Sequence, residues 1–429
     1  MTTTSAPERL ARAVVRQLLK RLAGGTVHLI DPVGDARFGD ATAPRTSPPI
    51  DVTVHVRDSR VYSRILQEGS VGLGESYADG WWETDDLSGF LRLAHRSLAR
   101  THTARDRMHR LLRPVVDPVA RRRSPDKDRD TRNVRAHYDL GNEFFQRILD
   151  DTMMYSCAVF ERPTDSLAEA SVQKLDRLAN LLALAPGDRV LEIGTGWGGF
   201  AVHAATHYGC HVTTTTISRR QYEFAQQRVR NAGLEDRVTI LADHYRDIGG
   251  TFDKIIVIEM IEAVDWREYD NFFAHCRRLL DDAGALAMQA IVVRDDSFDR
   301  TKLHADFIKT AIFPGGCLPS VRALTASAHR TGFSHTHEDD IGLHYGETLR
   351  RWKTNLTAAR DDLDTLGLDE RFARLWEFYF SYCEAAFEER YVRDVQLLYT
   401  APAWRPPALR TPPNVEAIHQ GWLPDLVRT

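Results

Sequence analysis

The chain of 429 residues has no uninterrupted apolar run of the length a membrane-crossing helix needs, about 18 residues or more. It has only five cysteines, an odd number, and no CxxC pair. That composition argues against a disulfide framework and for free thiols in a reducing compartment, and no metal site is read from the sequence. Excess charge is lacking as well. The net charge of −4 gives no overall pull toward nucleic acid, and no nucleic-acid partner is expected. The opening stretch MTTTSAPERLARAVVRQLLKRLAGG has neither the apolar core nor the small-residue cleavage site of a signal peptide. The expected location is therefore the cytoplasm. No internal repeat is present.

What is there is ordinary for a globular protein, with 43% hydrophobic and 27% charged residues. The length suits two domains. Residues 7–23 read as an amphipathic helix, with Leu10, Val14, Leu18 and Leu22 recurring every fourth position among Arg9, Arg12, Arg16, Lys20 and Arg21. Such a helix either packs on its own domain or lies on an anionic membrane. The runs TVHLI, IDVTVHV and VYSRIL follow as β-like segments, and the glycines of GSVGLGESYADGWWETDDL suggest tight turns. Trp81 and Trp82 are adjacent, so their side chains are expected to point in different directions. These features make residues 1–98 a small α+β domain. Residues 99–132 are rich in arginine and read as a linker, either a solvated tether or a contact for anionic headgroups. Residues 401–429 form a proline-rich tail.

From residue 133 to 400 helices and strands alternate, which implies an α/β fold with a parallel, doubly wound, Rossmann-like sheet. The expected strands include DRVLEIG, HVTTTTIS, RVTILAD, DKIIVIEM and ALAMQAIVV, while residues 346–398 look mainly helical. The stretch ALAMQAIVV, residues 285–293, holds one polar residue, Gln289. A buried amide is costly unless its donors and acceptor are matched.

The segment VLEIGTGWGGF, residues 190–200, is strand, glycine-rich turn and helix. Gly194, Gly196 and Gly198 allow a tight turn and a close approach of backbone to ligand. The spacing GxGxGG differs from the dinucleotide fingerprint and resembles motif I of S-adenosylmethionine-dependent methyltransferases. Glu192 and Trp197 belong to the same segment and are read with the glycines as cofactor contacts. Asp243, at the end of the third strand, is placed where this class binds adenine, with a helix N-cap as the plain alternative. Gln221 lies in the second strand-to-helix connection, which faces the ribose, with an exposed helical glutamine as its alternative.

Several further motifs occur in order. HYDLGNEFFQRILDDTMMYSCAVF (137–160), IFPGGCLPS (312–320), YFSYCEAAF (379–387) and GSVGLGESYADGWWETDDL resemble segments of the cyclopropane-fatty-acyl-phospholipid synthases. The resemblance implies methyl transfer from S-adenosylmethionine to the cis double bond of an unsaturated acyl chain in a membrane phospholipid. A carbocation forms, and a bound bicarbonate ion serves as the base. Tyr155 and Ser156 match the pair that contacts the cofactor. Cys157 matches a cysteine near the bicarbonate, Tyr345 a tyrosine that binds it, and Glu262 the active-site glutamate. Cys383 matches the C-terminal cysteine, although the alkene is the nucleophile and no thiolate is needed. The resemblance also implies a homodimer and peripheral association with the inner face of the membrane.

Two departures stand at the centre that removes the proton. Where cyclopropane-forming members have FEH, this chain has Ile261, Glu262 and Ala263, and Gln289 replaces an ion-binding histidine. The pattern EMIEAV with MQAI is similar to methyltransferases proposed for 10-methylene and 10-methyl fatty acids. A methylene product is therefore expected, with any reduction left to a separate reductase. Cyclopropane formation, a small-molecule methyltransferase and a non-catalytic lipid-binding protein remain as alternatives.

Overall fold

The computed structural model describes residues 6–40, 48–97 and 141–405. The expected linker over 99–132 and all but the first residues of the proline-rich tail lie outside that range.

Alternating burial along β1 (Gly25–Asp31) puts Val27 and Leu29 into a core and leaves His28 and Ile30 half-exposed. This strand pairs antiparallel with β2 (Gly34–Asp40) and parallel with β3 (Ile50–Val56); β4 (Trp82–Thr84) completes the order β2-β1-β3-β4. VYSRIL, expected as β-like, lies in the helix Arg60–Glu68. Val61, Tyr62 and Ile65 all turn inward, a helical spacing that a period of two does not describe. GSVGLGESYADG is likewise mostly helix, Ser70–Ala78, rather than a series of turns. Trp81 and Trp82 do part company. Trp82 is buried and donates from Nε1 to Leu73 O at 3.2 Å, while Trp81 lies under the guanidinium groups of Arg60 and Arg64.

The second sheet has seven strands in the order β10-β11-β9-β8-β5-β6-β7. Its parallel part comprises β5 (Arg189–Ile193), β6 (His211–Thr215), β7 (Val238–Leu241), β8 (Phe252–Ile258) and β9 (Leu280–Val293). Beyond β9 come β11 (Val392–Thr400), antiparallel to it, and β10 (Ser334–Asp340) at the edge. Two expectations need correction. Strand β9 begins at Leu280, so LDDAG belongs to the strand, and its register against β8 shifts between Phe252 and Lys254. Residues 346–398 are helical only as far as Glu388; VRDVQLLYT is a strand inserted between β9 and β10. Its Val395, Leu397 and Tyr399 are fully buried, as suits a strand packed on both faces.

The two sheets meet through the helix Glu370–Glu388. Its Arg374 donates to Tyr77 O at 2.8 Å and Trp82 O at 3.1 Å, and Trp82 packs edge-on against both Tyr77 and Phe378. Gly74 allows this contact, because a Cβ there would stand 2.5 Å from the Phe307 ring. The helix over 87–97 is tied to the same region by Arg96, which donates to Glu389 at 2.7 Å. Its His95 then reaches the cavity described next. No helix among the described residues is long and apolar enough to cross a membrane.

Candidate active site

Strand β5 ends in the turn that the sequence marked. Gly194 has φ 104°, where a side chain would be strained and would press on Met260 at about 3.2 Å. The helix Gly199–Tyr208 follows the turn, and the N–H groups of Gly194 and Thr195 both donate to Thr215 O, at 3.2 and 3.0 Å, which ties the turn to β6. Along the carboxyl ends of β5, β6 and β8 runs a cavity of ≈ 390 Å³. Glu192, Gly194, Gly196, Trp197, Gln221 and Asp243 all line it, as do Tyr155 and Ser156. Gly198 does not line it, and caps the helix in a left-handed conformation.

These groups are held individually. Thr214 donates to Glu192 Oε2 at 2.6 Å, and burial pushes the Glu192 carboxyl up to about 8 against that bond. Trp197 Nε1 donates to Asn142 Oδ1 at 2.8 Å. Gln221 is buried and accepts from Thr216 Oγ1 at 2.9 Å, so it is not an exposed helical glutamine. The turn after β7 is capped by His244 rather than by Asp243, whose side chain is left on the cavity wall. The residues present suit S-adenosylmethionine, because a glycine turn, a buried glutamine and two acids, Glu192 and Asp243, line one cavity at the carboxyl ends of the strands.

The other arm of the cavity is apolar and aromatic, with Tyr155, Phe313, Tyr379, Tyr382 and Phe387 on its walls. Tyr155 and Tyr379 share a hydrogen bond of 3.0 Å between their hydroxyls. Cys383 faces this arm, and burial holds its thiol well above the usual range, so it lines the wall and is not a thiolate. Of the phenylalanines in the neighbouring motifs, Phe144 and Phe145 are plain core against Trp376.

Two carboxylates enter between the arms. Glu262 sits in a short 3-10 turn after β8. Its Oε1 accepts from Ile291 N at 2.6 Å, and its buried Oε2 has no hydrogen-bond partner. Burial first, then the charge of Glu259, pushes Glu262 up to about 8. Glu259 was not singled out by the sequence, yet it is the hub. Its Oε1 accepts from Cys157 N and from Gln289 Nε2, each at 2.8 Å; its Oε2 accepts from Tyr345 Oη at 2.6 Å. Its backbone has φ 47°, rare for a side-chain-bearing residue, and its N–H donates to Gln289 O at 2.9 Å. The available signal was a charged residue at the carboxyl end of a parallel strand beside the glycine turn.

Three of the expected residues therefore act around Glu259. Gln289 is wholly buried and does not line the cavity; it also donates to Asp394 Oδ2 at 3.1 Å and accepts from Gln396 Nε2 at 3.0 Å. Cys157 contributes its N–H, while its Sγ turns back to Ala158 O, and burial pushes that thiol far up. Neither residue lines the cavity, so the structure places both behind its wall, a correction to their expected place among the groups of the site. Tyr345 lines the cavity and keeps its proton, since burial and the charge of Glu259 raise its phenol. Below this layer, the fully buried Lys174 donates to Ser156 Oγ at 2.8 Å. Burial lowers it to about 8, opposed by Glu259, Cys157, Asp150 and Asp394. Burial, then Glu259 and Glu262, hold the Asp394 carboxyl well above its usual range. No cluster that could hold a metal is found among the described residues.

A family profile for mycolic acid cyclopropane synthetase matches residues 125–397. The chain belongs to this family of S-adenosylmethionine-dependent methyltransferases. Among the relatives of this family member, the tuberculostearic acid methyltransferase of Mycobacterium tuberculosis is 37% identical over 89% of this chain and 89% of its own length. The cyclopropane-fatty-acyl-phospholipid synthase of Escherichia coli is 37% identical over 82% of this chain and 87% of its own. A mycolic acid cyclopropane synthase solved with S-adenosylhomocysteine and CTAB superposes with a TM-score of 0.59 at 32% identity, over 63% of this chain and 97% of that one.

Proposed function

We propose that this family member transfers a methyl group to the cis double bond of an unsaturated phospholipid acyl chain and releases a methylene-branched chain. The observation that carries the reading is the single cavity. It joins a glycine-turn cofactor site to an aromatic hydrocarbon arm, with two carboxylates at the junction. Hydrocarbon needs an apolar channel, and aromatic faces steady a transient cation.

Bound at the glycine turn, S-adenosylmethionine supplies an electrophilic methyl group, which the alkene's π electron pair takes while the carbon–sulfur pair stays on sulfur. The lipid is left with a cation on the other alkene carbon. Tyr155, Phe313 and Tyr379 face that region and exclude water. Direct loss of a methyl proton closes a cyclopropane. If a hydride first moves from the methyl-bearing carbon to the cation, the charge becomes tertiary, and loss of the same methyl proton gives an exocyclic methylene. Gln289 and Ala263, in place of two histidines, support the second course, since neither can act as a base near neutral pH. The similarity to the tuberculostearic acid methyltransferase supports it too.

Proton NMR of the lipid recovered from an oleoyl-phospholipid incubation is expected to show vinylidene protons. Upfield cyclopropyl protons without them would overturn the methylene assignment. Reduction of the methylene product to a methyl branch falls to a separate reductase.

Peripheral association with the membrane forms part of the proposal. The helix Ala6–Leu19 buries Ala11 and Val15 in the core of its own domain and exposes Leu10 (68%), Val14 (39%) and Leu18 (50%) on the outside. An exposed apolar line on a basic helix suits an anionic surface. Replacing Leu10 and Leu18 together by serine is expected to weaken sedimentation with anionic vesicles about tenfold or more, from two lost leucine burials. Unchanged sedimentation would remove the helix from the docking surface.

A further inference from the structure

The bicarbonate ion implied by the family resemblance has no place left in this structure. Its expected ligands were a cysteine, a tyrosine and a histidine. Here Cys157, Tyr345 and the glutamine in the histidine's place all meet at the Glu259 carboxylate. The Cys157 N–H and the Tyr345 O–H each have one hydrogen, and both are already given to Glu259. A free anion added there would lose these donors and face the Glu259 carboxylate at close range. The donor set does not fit the ion.

We propose that Glu259 is the base of the reaction, a carboxylate built into the chain that replaces a diffusible one. This deepens the lipid methyl-transfer reading and rests on it. Glu259 lines the cavity, so it can reach the reacting carbon. Its Oε1 accepts from Cys157 N and Gln289 Nε2 and its Oε2 from the Tyr345 hydroxyl, so Oε2 is the less committed of the two toward these donors; the Asp394 carboxyl also hydrogen-bonds the Glu259 side chain. In the step itself a carbon–hydrogen bond of the new methyl group breaks. Its electron pair becomes the second bond of the methylene, and the proton goes to Glu259 Oε2. The left-handed backbone at φ 47° turns the side chain back from the end of β8 across β9. Such a conformation in a side-chain-bearing residue persists where the surroundings fix it, and the Gln289 carbonyl does so here.

Gln289 is a positioning residue in this arrangement. It donates to Glu259, accepts from Gln396, and Gln396 in turn accepts from Arg177 Nε at 2.9 Å. The amides are thus oriented in series, each donating toward Glu259. A histidine at position 289 could carry a proton itself; an amide can only aim the carboxylate.

The test measures transfer of labelled methyl from S-adenosylmethionine into oleoyl-phosphatidylglycerol vesicles, with and without bicarbonate, using the full chain. The natural protein is expected to turn over equally in decarbonated and bicarbonate-containing buffer. Glu259→Gln is expected to fall by about a hundredfold or more, with S-adenosylmethionine affinity retained by calorimetry. In Glu259→Ala, which vacates the same donors, added bicarbonate is expected to restore part of the turnover. Loss of natural turnover in decarbonated buffer overturns the role of Glu259 and leaves the lipid reaction standing; this arm needs no variant to fold. Turnover by Glu259→Gln at the natural rate overturns it as well. Absence of methyl transfer to any unsaturated lipid by the natural protein overturns the lipid reading, and this inference with it.

Discussion

Glu262→Gln is expected to lower methyl transfer by about a hundredfold or more, the effect of removing one preorganised group that meets developing charge. The amide oxygen can still accept from Ile291 N, so the local fold should survive. What is lost is a negative charge that can appear next to a cation. Burial keeps the Glu262 carboxyl up at about 8 in the ligand-free site. A sulfonium arriving in the cavity favours the ionised form and pulls that value down. Near neutral pH, cofactor binding should therefore expel a proton from Glu262. Calorimetry in buffers of different ionisation enthalpy measures this release, which should vanish in Glu262→Gln. The linkage has a definite sign in the free protein. The folded chain holds this proton up to about 8, while an ordinary glutamate loses it near 4.5. Stability from this group is thus fully present below about 4.5 and is lost as pH rises toward 8. The glutamine variant should show a flatter profile across that window. Full activity with unchanged proton release would remove Glu262 from the site.

Trp376→Ala is expected to cost about 3–5 kcal/mol of stability, read as a lower urea midpoint. Trp376 is buried to 2% exposure and packs against Phe144 at 4.5 Å, with Tyr379, Phe380 and Phe372 around it. The void would lie directly behind the wall that carries Tyr379 and Cys383. A loss below about 1 kcal/mol would mean that the aromatic cluster collapses into the space, contrary to its close packing.

The local features of the site were legible in the sequence. The glycine turn needs only a strand, three glycines and a helix, all adjacent in the chain. Gln289 stood out because a polar residue in an apolar strand is a local anomaly. Glu259 did not, since an acid at a strand end looks like surface. Its meaning comes from partners on the YSCAVF segment, on β9 and on the helix Gly342–Ala358. Lys174 was hidden for a similar reason: a lysine in LAEASVQKLDRLANLLAL reads as the polar side of an amphipathic helix, yet it is fully buried. The strand VRDVQLLYT was missed because it follows long helices and opens with charges. One of those, Asp394, is buried against Gln289 by a pairing that no short window shows.

The place of β11 also sets the order in which the protein can become active. This strand, among the last described residues, seats itself between β9 and β10, both made earlier. Until it emerges from the ribosome, each neighbour presents an open edge, and long-range pairing of this kind forms late. Asp394 and Gln396 travel on the same strand and complete the polar network beneath Glu259. A chain cut short before β11 would retain the cofactor turn and lack the support of its base. Synthesis through β11 is thus a built-in condition for the complete site.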